Sequence, residues 1–305
     1  MNPTARPPRP ALPPEPPLWW QRAQDYARSR VALAALALLG LIAAAAVLAP
    51  WITPQNPYDL MQLDVMDARL PPGAASSDGA HTYWLGTDGQ GRDLYSAIVY
   101  GLRISLAVGV GSAVVAAVVG TLVGLLAAYA GGRVDALLMR LVDLLLSLPT
   151  LLLALMILAW FGKGITNVIL TLVLLEWAYC ARTARGQALA EMQRDYVSAA
   201  RGLGLSATRI ALGHVLPNCL PPLMVIAALQ VARAITLEAT LSFLGLGVPV
   251  TEPSLGLLIA NGYQYLLSQA YWISVFPGLA LLLTLMAINL VGDQLRDVLN
   301  PRLQR

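Results

Sequence analysis

The sequence predicts an all-α integral membrane protein of six transmembrane helices with both termini on the cytoplasmic side. Three observations carry this. Hydrophobic residues make up 57% of the 305 positions and charged residues only 12%, about half the charged fraction of a soluble domain. Uncharged runs cover 31–58, 104–132, 144–162 and 253–292. A bilayer core about 30 Å thick is crossed by about 20 apolar residues in a helix, so each run can hold a span. The basic residues are also unevenly placed. With the N-terminus inside, four of the 20 Lys and Arg (Arg69, Arg92, Arg103, Lys163) fall outside and Arg233 lies within a span. The remaining 15, among them Arg133, Arg140, Arg182, Arg185, Arg194, Arg201, Arg209, Arg296 and Arg302, fall inside, which is the positive-inside bias.

Residues 1–17 contain eight prolines. Such a segment favours extended polyproline conformations and buries no core, so it reads as a disordered cytoplasmic tail, the alternative being a ligand for a proline-recognition module. Trp19 and Trp20 followed by Arg22, Arg28 and Arg30 form an interfacial anchor. The first span, 31–51, is too long and too far from the N-terminus for a signal-peptide core, so it stays uncleaved. Residues 18–103 comprise this span and a long external loop rich in Pro, Gly and Ser. The core transmembrane domain, 104–303, holds the other spans: 104–130, 137–161, 165–182, 219–247 and 273–292. Glu176 within the fourth is expected near the membrane interface. The stretch 183–218 is cytoplasmic.

Within the second span Ser112, Ala116, Gly120, Gly124 and Ala128 recur every four residues. Lipid exerts no hydrophobic push between helices, so a ridge of small side chains predicts close helix packing there. Cys180 and Cys219 show no CxxC spacing and read as packing residues. Scattered arginines give no basic patch, so nucleic-acid binding is not expected. No metal-ligand cluster such as HExxH occurs. Gly202-Leu-Gly204-Leu-Ser-Ala207 matches a dinucleotide fingerprint only in letters, since no strand precedes it. The one Gly-Lys pair, Gly162-Lys163, has Ile157 where a P-loop needs its first glycine, so no nucleotide site is expected in this chain.

The cytoplasmic stretch is the most informative. It runs from Asp195-Tyr196-Val-Ser198-Ala199-Ala200-Arg201-Gly-Leu-Gly204 to His214-Val-Leu216-Pro217. Leu189, Met192, Tyr196, Ala199 and Leu203 fall at helical spacing, giving an apolar face outside the bilayer. Gly202 and Gly204 break the helix and Ala207–Gly213 starts another. The pattern alone leaves two readings open: a docking element for a cytosolic partner, or an amphipathic connector lying on lipid.

The spacing Ser198-Ala199-Ala200, three residues, Gly204, nine residues, His214-Val-Leu216-Pro217 resembles the EAA loop of ABC importer permeases. The resemblance implies a coupling helix seated in a groove of an ATPase subunit. It also implies that Asp195, Tyr196, Ser198, Ala199, Ala200, Arg201, Gly204 and Pro217 belong to the coupling segment. Ser198 departs from the family, which most often has glutamate there.

A second string, Trp84-Leu-Gly86-Thr87-Asp88-Gly-Gln-Gly91-Arg92-Asp93 leading to Tyr100-Gly-Leu-Arg103, resembles the external segment of dipeptide, oligopeptide and nickel permeases of the long-loop, C type. Read from the residues, Thr87 or Asp88 caps a short helix whose Leu94, Ile98 and Leu102 rest on the membrane surface. Leu241-Ser-Phe-Leu-Gly-Leu-Gly247, Phe276-Pro-Gly and Asn289-Leu-Val-Gly-Asp293-Gln-Leu-Arg296-Asp297 extend the similarity over about residues 25–303. What it implies is a type I importer permease of the bacterial inner membrane that does no covalent chemistry. It would pair with a homologous B-type permease, two cytosolic ATPases that bind ATP and Mg, and an external binding protein. The cargo implied is dipeptides or short oligopeptides, the alternatives being nickel, glutathione or antimicrobial peptides.

Arg233 and Glu238 are the charges inside the fifth span. Five residues apart, they do not face one another, and each is a candidate for the translocation pathway or for a structural role. A stand-alone secondary transporter would show inverted repeats with broken helices, and none is evident. An intramembrane hydrolase lacks a serine–base pair within the spans.

Overall fold

The computed structural model describes residues 18–79, 81–249 and 251–299. The proline-rich segment 1–17 lies outside the described residues, as does Arg302. In chain order the elements are α1 (Leu18–Ala27), α2 (Arg30–Ile52), a short hairpin β1 (Ala74–Ala75) and β2 (Thr82–Tyr83), α3 (Leu94–Ala130), α4 (Gly132–Ser147), α5 (Thr150–Phe161) and α6 (Ile165–Met192). They continue with α7 (Asp195–Gly202), α8 (Ala207–Ile210), α9 (Leu216–Phe243), α10 (Leu255–Tyr263) and α11 (Trp272–Leu299). The strands pair antiparallel, Ala74 with Tyr83 and Ala75 with Thr82.

Among the described residues, five helical stretches are long and apolar enough to cross a membrane: Arg30–Ile52, Leu94–Ala130, Ile165–Met192, Ala207–Phe243 and Trp272–Leu299. A sixth is made only by joining α4 and α5, which are bent by 92°. The span expected over 137–161 is therefore corrected to a bent pair. Pro149 is the physical cause. It clashes with a helical conformation of the residue before it, and Leu148 accordingly takes an extended φ of −93° and ψ of 143°.

Three other boundaries move. The second span starts earlier, because residues 94–103 belong to the same continuous helix as 104–130. The fourth runs to Met192 rather than 182. The fifth begins at Ala207, with α8 passing into α9 through a π turn at Ala211–Val215. Pro217 has no N–H for the carbonyl four residues back and its ring crowds that carbonyl. A wider turn immediately before it relieves the conflict. Asn218 then donates from Nδ2 to the His214 carbonyl at 2.8 Å.

The core is built on α3, which packs against α2, α6, α9, α10 and α11. The predicted small-residue ridge is where α3 meets α6. Ser112 and Ala116 are fully buried, and Ala128 nearly so. A methyl group placed on Gly120 would stand 2.5 Å from both the Trp177 carbonyl oxygen and Cys180 Cβ. Gly124 is pressed in the same way against Ala181 and Ala184. The two backbones thus touch over two turns, which is the close approach that holds helices together in lipid. Farther along, Gly109 lets Ile235 of α9 approach.

Leu94, Ile98 and Leu102 do not rest on the membrane surface. They pack with Ile42, Leu255, Leu258, Trp272 and Ile273 in one buried cluster. The first turns of α3 are thus part of the core, joining α2, α10 and α11 at the end of the bundle that carries the loop 53–93.

Gly120→Ala is predicted to lower the thermal midpoint of the detergent-solubilised protein through overpacking of about 1–3 kcal/mol. Gly111→Ala, where nothing lies within 4 Å of the added methyl, is the control. Equal midpoints for the two variants would show that the ridge is not a close contact.

Candidate functional site

The segment after α6 lies at the end of the bundle opposite the loop. Asp195 occupies the first turn of α7, where a negative charge favours the helix N-terminus, and Arg201 the last. The helix ends in a Schellman arrangement: Gly204 N–H donates to the Arg201 carbonyl at 3.0 Å and Leu205 N–H to the Ala200 carbonyl at 3.2 Å. Closure requires the left-handed region, and Gly204 has φ +75°. Ser206 then caps α8, accepting from the Arg209 N–H at 3.4 Å.

Two faces of α7 divide sharply. Val197 and Ala200 turn inward onto Leu125, Ala128, Ala184, Ala188, Ile210 and Val215. Tyr196, Ser198, Ala199, Arg201, Leu203 and Gly204 are exposed, Leu203 at 82%. The apolar stripe read from the sequence therefore points away from the chain's own core beyond the half-buried Leu189 and Met192. The residues that seat the helix are the other pair, Val197 and Ala200. Tyr196 is fixed by donating to Glu191 Oε2 at 2.8 Å and accepting from Asn218 Nδ2 at 3.3 Å. Pro217, exposed, stands at the start of α9. The result is a rigid, outward-facing patch of Tyr196, Ala199 and Leu203 beside a glycine turn.

At the loop end, the residues Gly86 to Asp93 form a buried polar network. Thr87 donates to the Asp67 carbonyl at 2.5 Å and accepts from Leu70 N–H at 2.8 Å. Asp88 accepts from Gln90 N–H and Arg92 N–H, and pairs with Arg92 Nε at 2.7 Å. Gly86 and Gly91 take φ of +79° and +77°. A side chain on Gly86 would meet Trp272, whose Nε1 donates to the Thr87 carbonyl at 3.3 Å.

Neither Thr87 nor Asp88 caps a helix. The cap of α3 is Asp93, which accepts from Ser96 N–H at 2.9 Å and from the Ser96 hydroxyl at 2.5 Å. Thr87 and Asp88 are used up in tying the long loop down. The Tyr83 hydroxyl, donating to Asp67 Oδ2 at 2.7 Å, is pushed up in pKa by burial and by that carboxylate, so it remains a donor.

The intramembrane charges separate. Glu238 is fully buried. It accepts from Ser105 of α3 at 3.1 Å and from Ser242 at 2.8 Å, with Ser254 beside it. Gly247 lets the chain after α9 fold back onto Ser242, whose Oγ accepts from Val248 N–H at 3.4 Å. Glu238 thus ties α3, α9 and the start of α10 together and lines no open surface.

Arg233 is exposed on α9, its guanidinium 5.4 Å from the Tyr179 ring centroid. Thr236 and Thr240 follow on the same face and, with Phe243, Gly256, Ile259 and Leu281, line an open recess of about 220 Å³. Glu176, expected near the membrane interface, is 2% exposed and packs between α6 and α9, next to Gln230. Sequence reasoning missed Ser105, Ser242, Ser254 and Gln230, since an uncharged polar residue in an apolar run carries no signal of its own. The pairing of Ser242 with Glu238 at i, i+4 was the one cue available.

Comparisons with known proteins agree with this architecture. Residues 120–305 match the family described as "Binding-protein-dependent transport system inner membrane component". Residues 18–72 match the "N-terminal TM domain of oligopeptide transport permease C". The chain is 38% identical over 281 residues to the di/tripeptide transport system permease protein DppC of Pseudomonas aeruginosa, covering 92% of this chain and 91% of that one. It is 41% identical over 280 residues to the dipeptide transport system permease protein DppC of Escherichia coli K12, covering 92% of each.

Among solved structures, an inward-facing form of the MetNI methionine ABC transporter aligns with TM-score 0.57 at 21% identity. The alignment covers 68% of this chain and 98% of that one, and it establishes the type I importer permease fold. The chain belongs to the binding-protein-dependent transport system inner membrane components, as a permease subunit of an ABC importer.

Proposed function

We propose that this subunit moves dipeptides or short oligopeptides into the cytoplasm, with both termini and α7 on the cytoplasmic side. The cargo is supported by relatives named for dipeptide or di/tripeptide transport over nearly the whole chain. The observation that carries the mechanism is the outward patch of Tyr196, Ala199 and Leu203 beside the Gly204 turn. An apolar patch held rigid outside the spans is a docking surface, and here its occupant is a cytosolic ATPase that supplies ATP and Mg.

In this reading a homologous B-type permease completes the pathway, two ATPases dock on the two coupling segments, and an external binding protein delivers peptide. ATP binding favours one arrangement of the ATPase pair. The coupling segments carry that preference into the spans as rigid-body motion. Arg233, Thr236 and Thr240 line the pathway. Cys180 and Cys219, both buried and free, serve packing.

Gly204→Arg is predicted to abolish peptide uptake at normal membrane abundance. It places a large side chain at the docking turn and in a backbone region that costs an L-residue about 1–2 kcal/mol. Leu203→Glu is predicted to reduce co-purification of the ATPases at least tenfold, leaving the melting profile of the chain unchanged because Leu203 touches little of its own fold. Mild-detergent isolation of the tagged chain with mass spectrometry of its partners tests the assembly. Recovery of the chain alone, under conditions that keep a known importer intact, would defeat the reading, as would normal uptake by Gly204→Arg.

A further inference from the structure

Glu176 has no part in the roles described so far, yet its place is unusual. It lies eleven residues into α6 from Ile165, and Arg233 ten residues before the end of α9 at Phe243. At 1.5 Å per residue both sit about 15–17 Å from the loop ends of their helices, near the middle of a core about 30 Å thick.

Two i, i+3 pairs face each other across the α6–α9 contact. Glu176 and Gln230 form the inner layer, exposed by only 2% and 1%. Tyr179 and Arg233 form the outer one, ring beneath guanidinium. Arg233 is close enough to Glu176 to interact with it electrostatically, although the two form no ion pair. In this conformation Glu176 Oε2 and Gln230 Nε2 have no hydrogen-bond partner among the described residues.

A carboxylate buried at mid-membrane without a full set of hydrogen bonds persists only where a nearby charge compensates it. An exposed guanidinium at that depth needs the same. Arg233 is the charge near Glu176, and the Tyr179 ring lies against the guanidinium. Glu238, the buried acid of α9, is already satisfied by its serines and does not share in this.

We propose that Glu176 is a positioning residue for Arg233. Its buried carboxylate holds the guanidinium over Tyr179, so that the pathway presents an oriented, partly neutralised cation to the carboxylate of a passing peptide. Partial neutralisation suits a transport site, where a bare cation would bind a peptide carboxylate too tightly to release it. The proposal rests on Arg233 lining the pathway, as read above.

The test uses the complete importer reconstituted in proteoliposomes, with the binding protein saturated by a dipeptide and rates expressed per assembled complex. Glu176→Gln is introduced into the wild-type and into the Arg233→Gln background. A residue that acts through Arg233 slows turnover at least tenfold in the first and less than twofold in the second. An equal loss in both, or no loss in the wild-type background, overturns the proposal, because a packing role is blind to residue 233. If Glu176→Gln does not assemble, Glu176→Asp replaces it. Failure of that variant to assemble in both backgrounds marks Glu176 as a packing residue and overturns the proposal as well.

Where Arg233→Gln transport falls below detection, the readout is chemical. In a Cys180→Ser, Cys219→Ser background, Arg233→Cys is modified with a cationic and an anionic methanethiosulfonate. Glu176→Gln is expected to lower the cation-to-anion rate ratio at least threefold, and an unchanged ratio overturns the proposal. No modification by either reagent removes Arg233 from the pathway and the proposal with it. Absence of dipeptide uptake by the wild-type assembly counts against the cargo alone, since the chemical readout needs none.

Discussion

Backbone contact between α3 and α6 is the constraint on which the rest of the molecule depends. In water, burial of apolar surface would drive these helices together. In lipid it does not, because the acyl chains are as apolar as the side chains. What remains is dispersion between surfaces that fit, and Gly120 and Gly124 remove the side chains that would hold the helices apart. Once α6 is pressed onto α3, the positions of Glu176 and Tyr179 are set. So is the path of the helix beyond Ala184, which forms the bed for Val197 and Ala200.

Polar groups in the core follow a complementary rule. Several buried ones are held by groups from more than one element, and so join parts of the chain distant in sequence. Glu238 reaches Ser105 across 133 residues and Trp272 reaches Thr87 across 185. The Asp88–Arg92 pair, with side chains 2% and 1% exposed, stiffens the turn that leads into α3. Unmade bonds in such places cost more than made ones return, which makes these links devices of specificity: they reject alternative arrangements of the loop and of α10 on the bundle.

Much of this was legible in the sequence, and the reasons are physical. Charge-free runs located four of the spans because charge exposed to lipid is costly. The four-residue ridge located the α3–α6 contact because only small residues permit it. Gly202 and Gly204 located the break after α7 because one of them must enter the left-handed region.

What failed did so where a local rule met a tertiary one. Thr87 and Asp88 are good caps by type, but the folded loop claims their side chains and leaves the capping to Asp93. Leu94, Ile98 and Leu102 have the spacing of a surface helix, yet α10 and α11 cover them. Glu176 read as a surface acid because it stands near the end of an apolar run, yet it packs between α6 and α9. The bend at Leu148–Pro149 was visible in the proline and was overridden by the hydropathy of the run around it.

The unbroken length of α3 has a mechanical consequence. Its 37 residues extend about 55 Å at 1.5 Å per residue, well beyond the bilayer core, with no proline or π turn to absorb strain. One end is bolted to the loop through Asp93, while the other carries Leu125 and Ala128 beneath α7. Such a rod is a lever arm: a tilt of about 5° about one end displaces the other by about 5 Å, close to the rise of one helical turn. A small rotation at either face of the membrane is thereby converted into a stroke the size of a side chain at the opposite face.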